Sequence, residues 1–159
     1  MKHTISVLVE NQPGVLARIS GLFSARGYNI ISLAVGETED PDMSRMTIVV
    51  DGDNRILEQI TKQLNKLVDT LKVIDYVKER PIKRDLALIR VNCDLKKRPE
   101  VLQMIKVFKG KVVDLSAKSL IVEVVGTEDK LEAIINNLKP FGISEMSRTG
   151  TIAISREKK

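Results

Sequence analysis

Apolar residues along this chain recur with two different periods, and the switches between them lay out its elements. Ile5, Val7 and Val9 alternate with polar neighbours, the period of a strand with one buried face. Asn11-Gln12-Pro13-Gly14 breaks the alternation. Val15, Leu16, Ile19, Leu22 and Phe23 then follow at helical spacing. Pro13 is placed to start that helix and Gly27 to end it from a left-handed conformation. Residues 28–37 are extended and rich in β-branched side chains, and the acidic turn Glu39-Asp40-Pro41-Asp42 follows. Met46, Ile48 and Val50 alternate again; Ile56, Leu57, Ile60, Leu64 and Leu67 mark a second helix; residues 73–77 read as a last strand. The order is β-α-β-β-α-β.

Residues 78–85 are charged, contain Pro81 and read as a linker. The order then repeats. Residues 86–93 form a strand, and Val101, Leu102, Ile105 and Phe108 mark a helix ending near Gly110. Residues 111–115 and 120–125 read as strands, and Leu131, Ile134, Ile135 and Leu138 mark a helix stopped by Pro140. A closing strand lies within 143–155, and a frayed end is expected from Arg156 on. The expected fold class is α+β, two tandem ferredoxin-like βαββαβ domains over residues 1–80 and 81–159. Right-handed crossovers put both helices of a unit on one face of its sheet. The other face is expected to be bare, with Leu8, Val49 and Leu88 on it, and that favours an oligomer.

Composition narrows the function. With 43% hydrophobic and 30% charged residues the chain can build a packed core. No apolar run approaches a membrane span, and the N-terminus lacks the apolar stretch of a signal peptide, so a cytoplasmic protein without a membrane anchor is expected. One cysteine, Cys93, and one histidine, His3, exclude an internal disulfide and are too few for a Cys/His zinc site; Cys93 reads as a core residue. There is no phosphate-binding glycine loop, no carboxylate pair that periodicity would bury together, and almost no histidine to serve as a base. No catalytic residue is assigned.

Charge is uneven. Residues 1–80 hold 10 basic and 11 acidic side chains, residues 81–159 hold 16 and 10, giving balances of −1 and +6. A basic nucleic-acid-binding module is therefore one reading, since RNA-recognition motifs share this strand order. Those motifs stack bases on aromatic residues of central strands. Only 3% of this chain is aromatic, and neither Met46-Thr47-Ile48-Val49-Val50 nor Leu120-Ile121-Val122-Glu123-Val124 offers such a platform. No nucleic-acid partner is expected.

The turn Asn11-Gln12-Pro13-Gly14-Val15 has its own chemistry. Free N–H groups at a helix start favour an anion, Gly14 allows close approach, and Asn11 brings both a donor and an acceptor. Such a turn holds the carboxylate and ammonium of an amino acid, or it is an ordinary turn with a helix cap. The residues leave both open.

The strand, the turn Asn11-Gln12-Pro13-Gly14-Val15-Leu16 and the helix resemble the start of an ACT domain, a small-molecule sensor of amino-acid pathways. Gly21-Leu22-Phe23-Ser24-Ala25-Arg26-Gly27-Tyr28-Asn29-Ile30 and Asp40-Pro41-Asp42-Met43-Ser44-Arg45-Met46-Thr47-Ile48 closely resemble the small regulatory subunit of acetolactate synthase. Leu57-Glu58-Gln59-Ile60 and Gln63-Leu64-Asn65-Lys66-Leu67-Val68 continue the likeness, and Lys109-Gly110 and Arg148-Thr149-Gly150 extend it more loosely beyond residue 80. The resemblance implies a non-catalytic regulatory subunit that forms a homodimer through its ACT domains. It implies a branched-chain amino acid, usually valine, held between Asn11, Gly14 and Val15 of one chain and Asn29 and Ile30 of the other. It implies a catalytic large subunit as partner, with thiamine diphosphate, magnesium and FAD on that subunit and no cofactor on this chain. The large subunit would be activated and placed under feedback inhibition in valine, leucine and isoleucine biosynthesis. A stand-alone ACT regulator responding to an amino acid is the competing reading.

Overall fold

A computed structural model describes residues 1–77 and 79–157. The chain divides into two compact units, Met1–Ile82 together with residues 151–157, and Lys83–Gly150. The first unit runs β1 (Lys2–Glu10), α1 (Val15–Ser24), β2 (Ile30–Glu37), β3 (Met43–Asp51), α2 (Asn54–Leu64) and β4 (Thr70–Asp75). The second runs β5 (Ile82–Asn92), α3 (Arg98–Val107), β6 (Lys111–Leu115), β7 (Ser119–Gly126), α4 (Glu128–Leu138) and β8 (Ile143–Arg148), and a short β9 (Ile152–Ile154) follows. The sheets have the strand orders β2-β3-β1-β4 and β6-β7-β5-β8, with these neighbours antiparallel. The two orders match element for element, so the duplicated βαββαβ pattern read from periodicity is the fold.

Each unit has its own core on the helix side of its sheet. Ile5, Val7 and Val9 of β1 and Met46, Ile48 and Val50 of β3 meet Ile19 and Phe23 of α1 and Leu57, Ile60 and Leu64 of α2. Ala87, Ile89 and Val91 of β5 and Leu120, Val122 and Val124 of β7 meet Val101, Ile105, Leu131, Ile134 and Leu138. α1 starts at Val15 after Gly14, so Pro13 lies just outside the helix it was expected to start; three other helix ends follow their local signals. Asp53 caps α2 by accepting from the N–H of Ile56 at 2.8 Å, and Gly27 takes a positive φ of 67° just past α1. Pro140 sits in a single 3-10 turn, Lys139–Phe141, directly after α4.

Three expectations need correction. The stretch 78–85 is not all linker: β5 already starts at Ile82, and Asp85 is 2% exposed. There the Arg148 guanidinium donates to Asp85 and the Thr149 hydroxyl donates to Asp85 Oδ1 at 3.3 Å, binding the start of β5 to the end of β8. A charged residue reads as linker in isolation and as a buried ion pair once its partner, 63 residues away, is in place.

The second correction concerns the bare face of the first sheet. Thr4, Ser6, Thr47 and Val49 point away from the helices yet are buried, and Leu8 is half-buried. The tail contributes to this cover: β9 lies against β1, and the Tyr76 hydroxyl donates to the Ala153 carbonyl at 3.4 Å. In the second sheet Leu88 is 40% exposed, as the pattern implied. The third correction is at the tail itself. Arg156 donates to the Arg80 carbonyl at 3.1 Å and Ser155 to Glu79 at 2.9 Å, so the chain is held to there; Lys158 and Lys159 lie outside the described residues.

Removing Arg148 takes the cation from the buried Asp85 carboxylate and leaves it the Thr149 hydroxyl as a side-chain donor. Arg148→Met should therefore lower the unfolding free energy in urea by about 3 kcal/mol. A loss under about 0.5 kcal/mol, typical of a surface pair, would show that the Asp85–Arg148 contact contributes little.

Candidate functional site

The residues singled out in the first strand-to-helix turn do converge. Gly14 stands immediately before α1 with φ 85° and ψ −9°, a left-handed conformation that glycine adopts without strain. No side chain caps α1. Among the described residues, the N–H groups of Gly14, Leu16 and Ala17 meet no protein acceptor, and that of Val15 reaches the Gln12 carbonyl only at 3.4 Å. Val15 is buried at 3% exposure and anchors the turn to the core, while Asn11 and Gly14 remain at the surface.

Asn11 is held by the β2–β3 hairpin. Its backbone N–H donates to Asp42 at 2.7 Å, and its Nδ2 donates to the Pro41 carbonyl at 2.9 Å and to Glu37 Oε1 at 3.2 Å. Both donors of the amide are thus used, and Oδ1 is turned into the one remaining function, an acceptor. Two charged residues that periodicity did not pick out complete the surroundings. Arg18 lies one helical turn beyond Gly14, with Nη1 3.1 Å from where a Cβ on Gly14 would stand. Its Nε donates to Asp69 at 2.7 Å, and that bond raises its pKa further. Glu37 ends β2 beside Asn11. The signal for Arg18 was its i+4 spacing from Gly14 on the face above the turn; Glu37 had none, because only the hairpin brings it close.

Asn29 and Ile30 lie elsewhere. Asn29 is exposed just ahead of β2 and Ile30 is half-buried at its start. Across the sheet Ile30 aligns with Val50 and His3, whereas Glu37 aligns with Ser44 and Val9. Seven residues of strand separate these ends, about 23 Å at strand rise. No single valine spans that distance within one chain.

The corresponding turn of the second unit is closed. Asp94 Oδ1 accepts from the N–H groups of Lys96 and Lys97 at 3.0 and 2.9 Å, and the Arg98 N–H reaches the Asp94 carbonyl at 3.0 Å. Of the donors left open before α1, the Gly14 N–H has a satisfied counterpart before α3 in Lys97, and the position of Leu16 is taken by Pro99, which has no N–H; Glu100, like Ala17, meets no backbone acceptor among the described residues.

The two halves of the chain match two family profiles. Residues 5–72 match the AHAS small subunit-like ACT domain, and residues 84–157 match the small subunit of acetolactate synthase. The chain belongs to the acetolactate synthase small subunit family. A probable acetolactate synthase small subunit of Archaeoglobus fulgidus is 52% identical over 159 residues, covering 100% of this chain and 99% of that one. The acetolactate synthase small subunit of Mycolicibacterium smegmatis is 52% identical over 154 residues, 97% of this chain and 91% of that one. The crystal structure of the small subunit from Thermotoga maritima superposes with a TM-score of 0.91 at 40% identity, covering 100% and 99% of the two chains.

No group of three or more His, Cys, Asp or Glu among the described residues is placed to hold a metal ion. No helix among them is long and apolar enough to cross a membrane. Cys93 is buried at 2% exposure in the second core. The contrast between the two turns makes a prediction. Asp94→Ala should lower the unfolding free energy in urea by about 1 kcal/mol by uncovering the Lys96 and Lys97 N–H groups ahead of α3. No measurable loss would show that these two bonds contribute little to the fold.

Proposed function

We propose that this chain binds a branched-chain amino acid, valine in the first instance, between the ACT domains of two copies, and thereby sets the activity of the catalytic large subunit. The observation that carries this reading is the open turn before α1, with its unsatisfied N–H groups, left-handed Gly14 and neighbouring Arg18. An α-carboxylate fits there, because helix-start N–H groups and a cation stabilise the same charge. Asn11 Oδ1 and Glu37 offer acceptors for the ammonium end.

The second chain enters through β2, an edge strand whose Ile31 and Val35 are 41% and 46% exposed. If two copies pair antiparallel along β2, residue 30 of one comes beside residue 37 of the other. Because Asn11 is bonded to Glu37, that pairing carries Asn29 and Ile30 of one chain to the Asn11–Gly14–Val15 turn of its partner. The separation of the two halves within one chain supports a shared site. Thiamine diphosphate, magnesium and FAD, together with the joining of 2-oxo acids, belong in this reading to the large subunit in a cytoplasmic complex. A stand-alone regulator is disfavoured by the likeness of both units to acetolactate synthase small subunits.

Gly14→Asp tests the carboxylate site against an isosteric control. Either Asp or Asn at φ 85° carries backbone strain of about 1–2 kcal/mol, so Gly14→Asn controls for shape and strain. The expected result is loss of valine binding in Gly14→Asp, with Gly14→Asn retaining measurably more. Equal affinities in the two variants, read by calorimetry, would mean that no carboxylate sits at this turn. Asn11→Ala should weaken valine by about 1–3 kcal/mol and raise the valine concentration for half-inhibition of the reconstituted enzyme in step, since effector binding and inhibition are linked.

A further inference from the structure

Gln59, Lys62, Gln63 and Lys66 recur at i, i+3, i+4 and i+7, a single stripe along and just beyond the last turns of α2. Together with Asn65, and with Arg26 just past the end of α1, they line a concavity of about 530 Å³. Three cations and three amides line it, and no carboxylate does. Cations at helix C-termini stabilise the helix dipole. Arg26 does so for α1, donating to the Leu22 carbonyl at 3.4 Å, and Lys62 stands in the last turn of α2. Lys66 and the amide lining are not explained that way. Glu58 offsets only Lys62, at 2.7 Å, and that contact lowers the Glu58 pKa. Residues 1–80 carry a balance of −1, so this cationic concavity is a local arrangement and not a consequence of overall charge.

A second observation ties the groove to the effector. The Tyr28 hydroxyl donates to Gln59 Oε1 at 2.8 Å. Tyr28 immediately precedes Asn29 and Ile30, so one side chain joins the start of β2 to the groove wall. The acceptor of Gln59 is engaged, which leaves its amide N–H groups as donors for an anion.

We propose that this groove receives an acidic segment of the catalytic large subunit, and that the Tyr28–Gln59 contact transmits the effector's state to it. The proposal rests on the preceding reading for the identities of effector and partner. Charge complementarity selects the occupant.

The test uses the full chain carrying Arg26→Glu and Lys66→Glu, titrated onto the purified large subunit. Association should weaken by about tenfold or more and lose part of its salt dependence, while the variant's own valine affinity stays that of the natural chain. Association within about twofold of the natural chain overturns the docking proposal. Arg26→Gln with Lys66→Gln, which removes charge without reversing it, should fall between the two and serves if the charge reversal impairs folding. Tyr28→Phe should leave association intact and blunt valine inhibition; an unchanged inhibition curve overturns the transmission claim. If the natural chain binds no valine at all, the effector reading fails, while the association experiment still decides the groove.

Discussion

The first N–H groups of an α-helix have no partner inside the helix, and something must satisfy them. This chain meets that requirement in opposite ways at its two matching turns. Before α3 the carboxylate of Asp94, four residues ahead of the helix, accepts from the N–H groups of Lys96 and Lys97. Before α1 the matching residue is Asn11, whose amide donors face the hairpin, so the backbone donors stay open beside Gly14 and Arg18. Duplication supplied one fold twice. At Lys97 the carboxylate of Asp94 occupies the N–H whose counterpart at Gly14 stays open.

Much of this was legible in the sequence for local reasons. A strand period, a helix period and the punctuation of Pro13, Gly14 and Gly27 identify β1, α1 and the turn between them, because each signal acts within a few residues. The likeness in 21–30 and 40–48 carried the family. What was missed depends on distance along the chain. Asp85 read as linker because Arg148 lies 63 residues away. The outer face of the first sheet read as open because the returning tail, which lies against β1 with Ala153 on Tyr76, has no periodic signature. Glu37 escaped notice because only the hairpin closure brings it to Asn11. Conformation explained Gly14 better than sequence could: its φ of 85° makes glycine a backbone requirement as well as a space-saving choice.

The geometry also constrains how a signal would leave the site. The proposed effector residues divide between a turn that reaches α1 and a strand start that reaches α2 through Tyr28 and Gln59. A ligand bound across two chains would then fix the turn of one to the β2 start of the other, and so to the groove beside Arg26, Lys62 and Lys66. Only a difference in ligand affinity between two arrangements of these parts can drive such a change.

The central claim is that the effector site is shared between chains, and mixing two damaged chains tests it. Gly14→Asp disables the turn, and Asn29→Lys places a cation at the ammonium end. Neither variant alone should bind valine. In a mixed dimer, the intact turn of one chain meets the intact β2 start of the other, so equal amounts unfolded and refolded together should regain about one site per mixed dimer. Recovered valine binding by calorimetry is the predicted result. No recovery, with mixed dimers shown to form, would place all the binding residues within one chain and contradict the account.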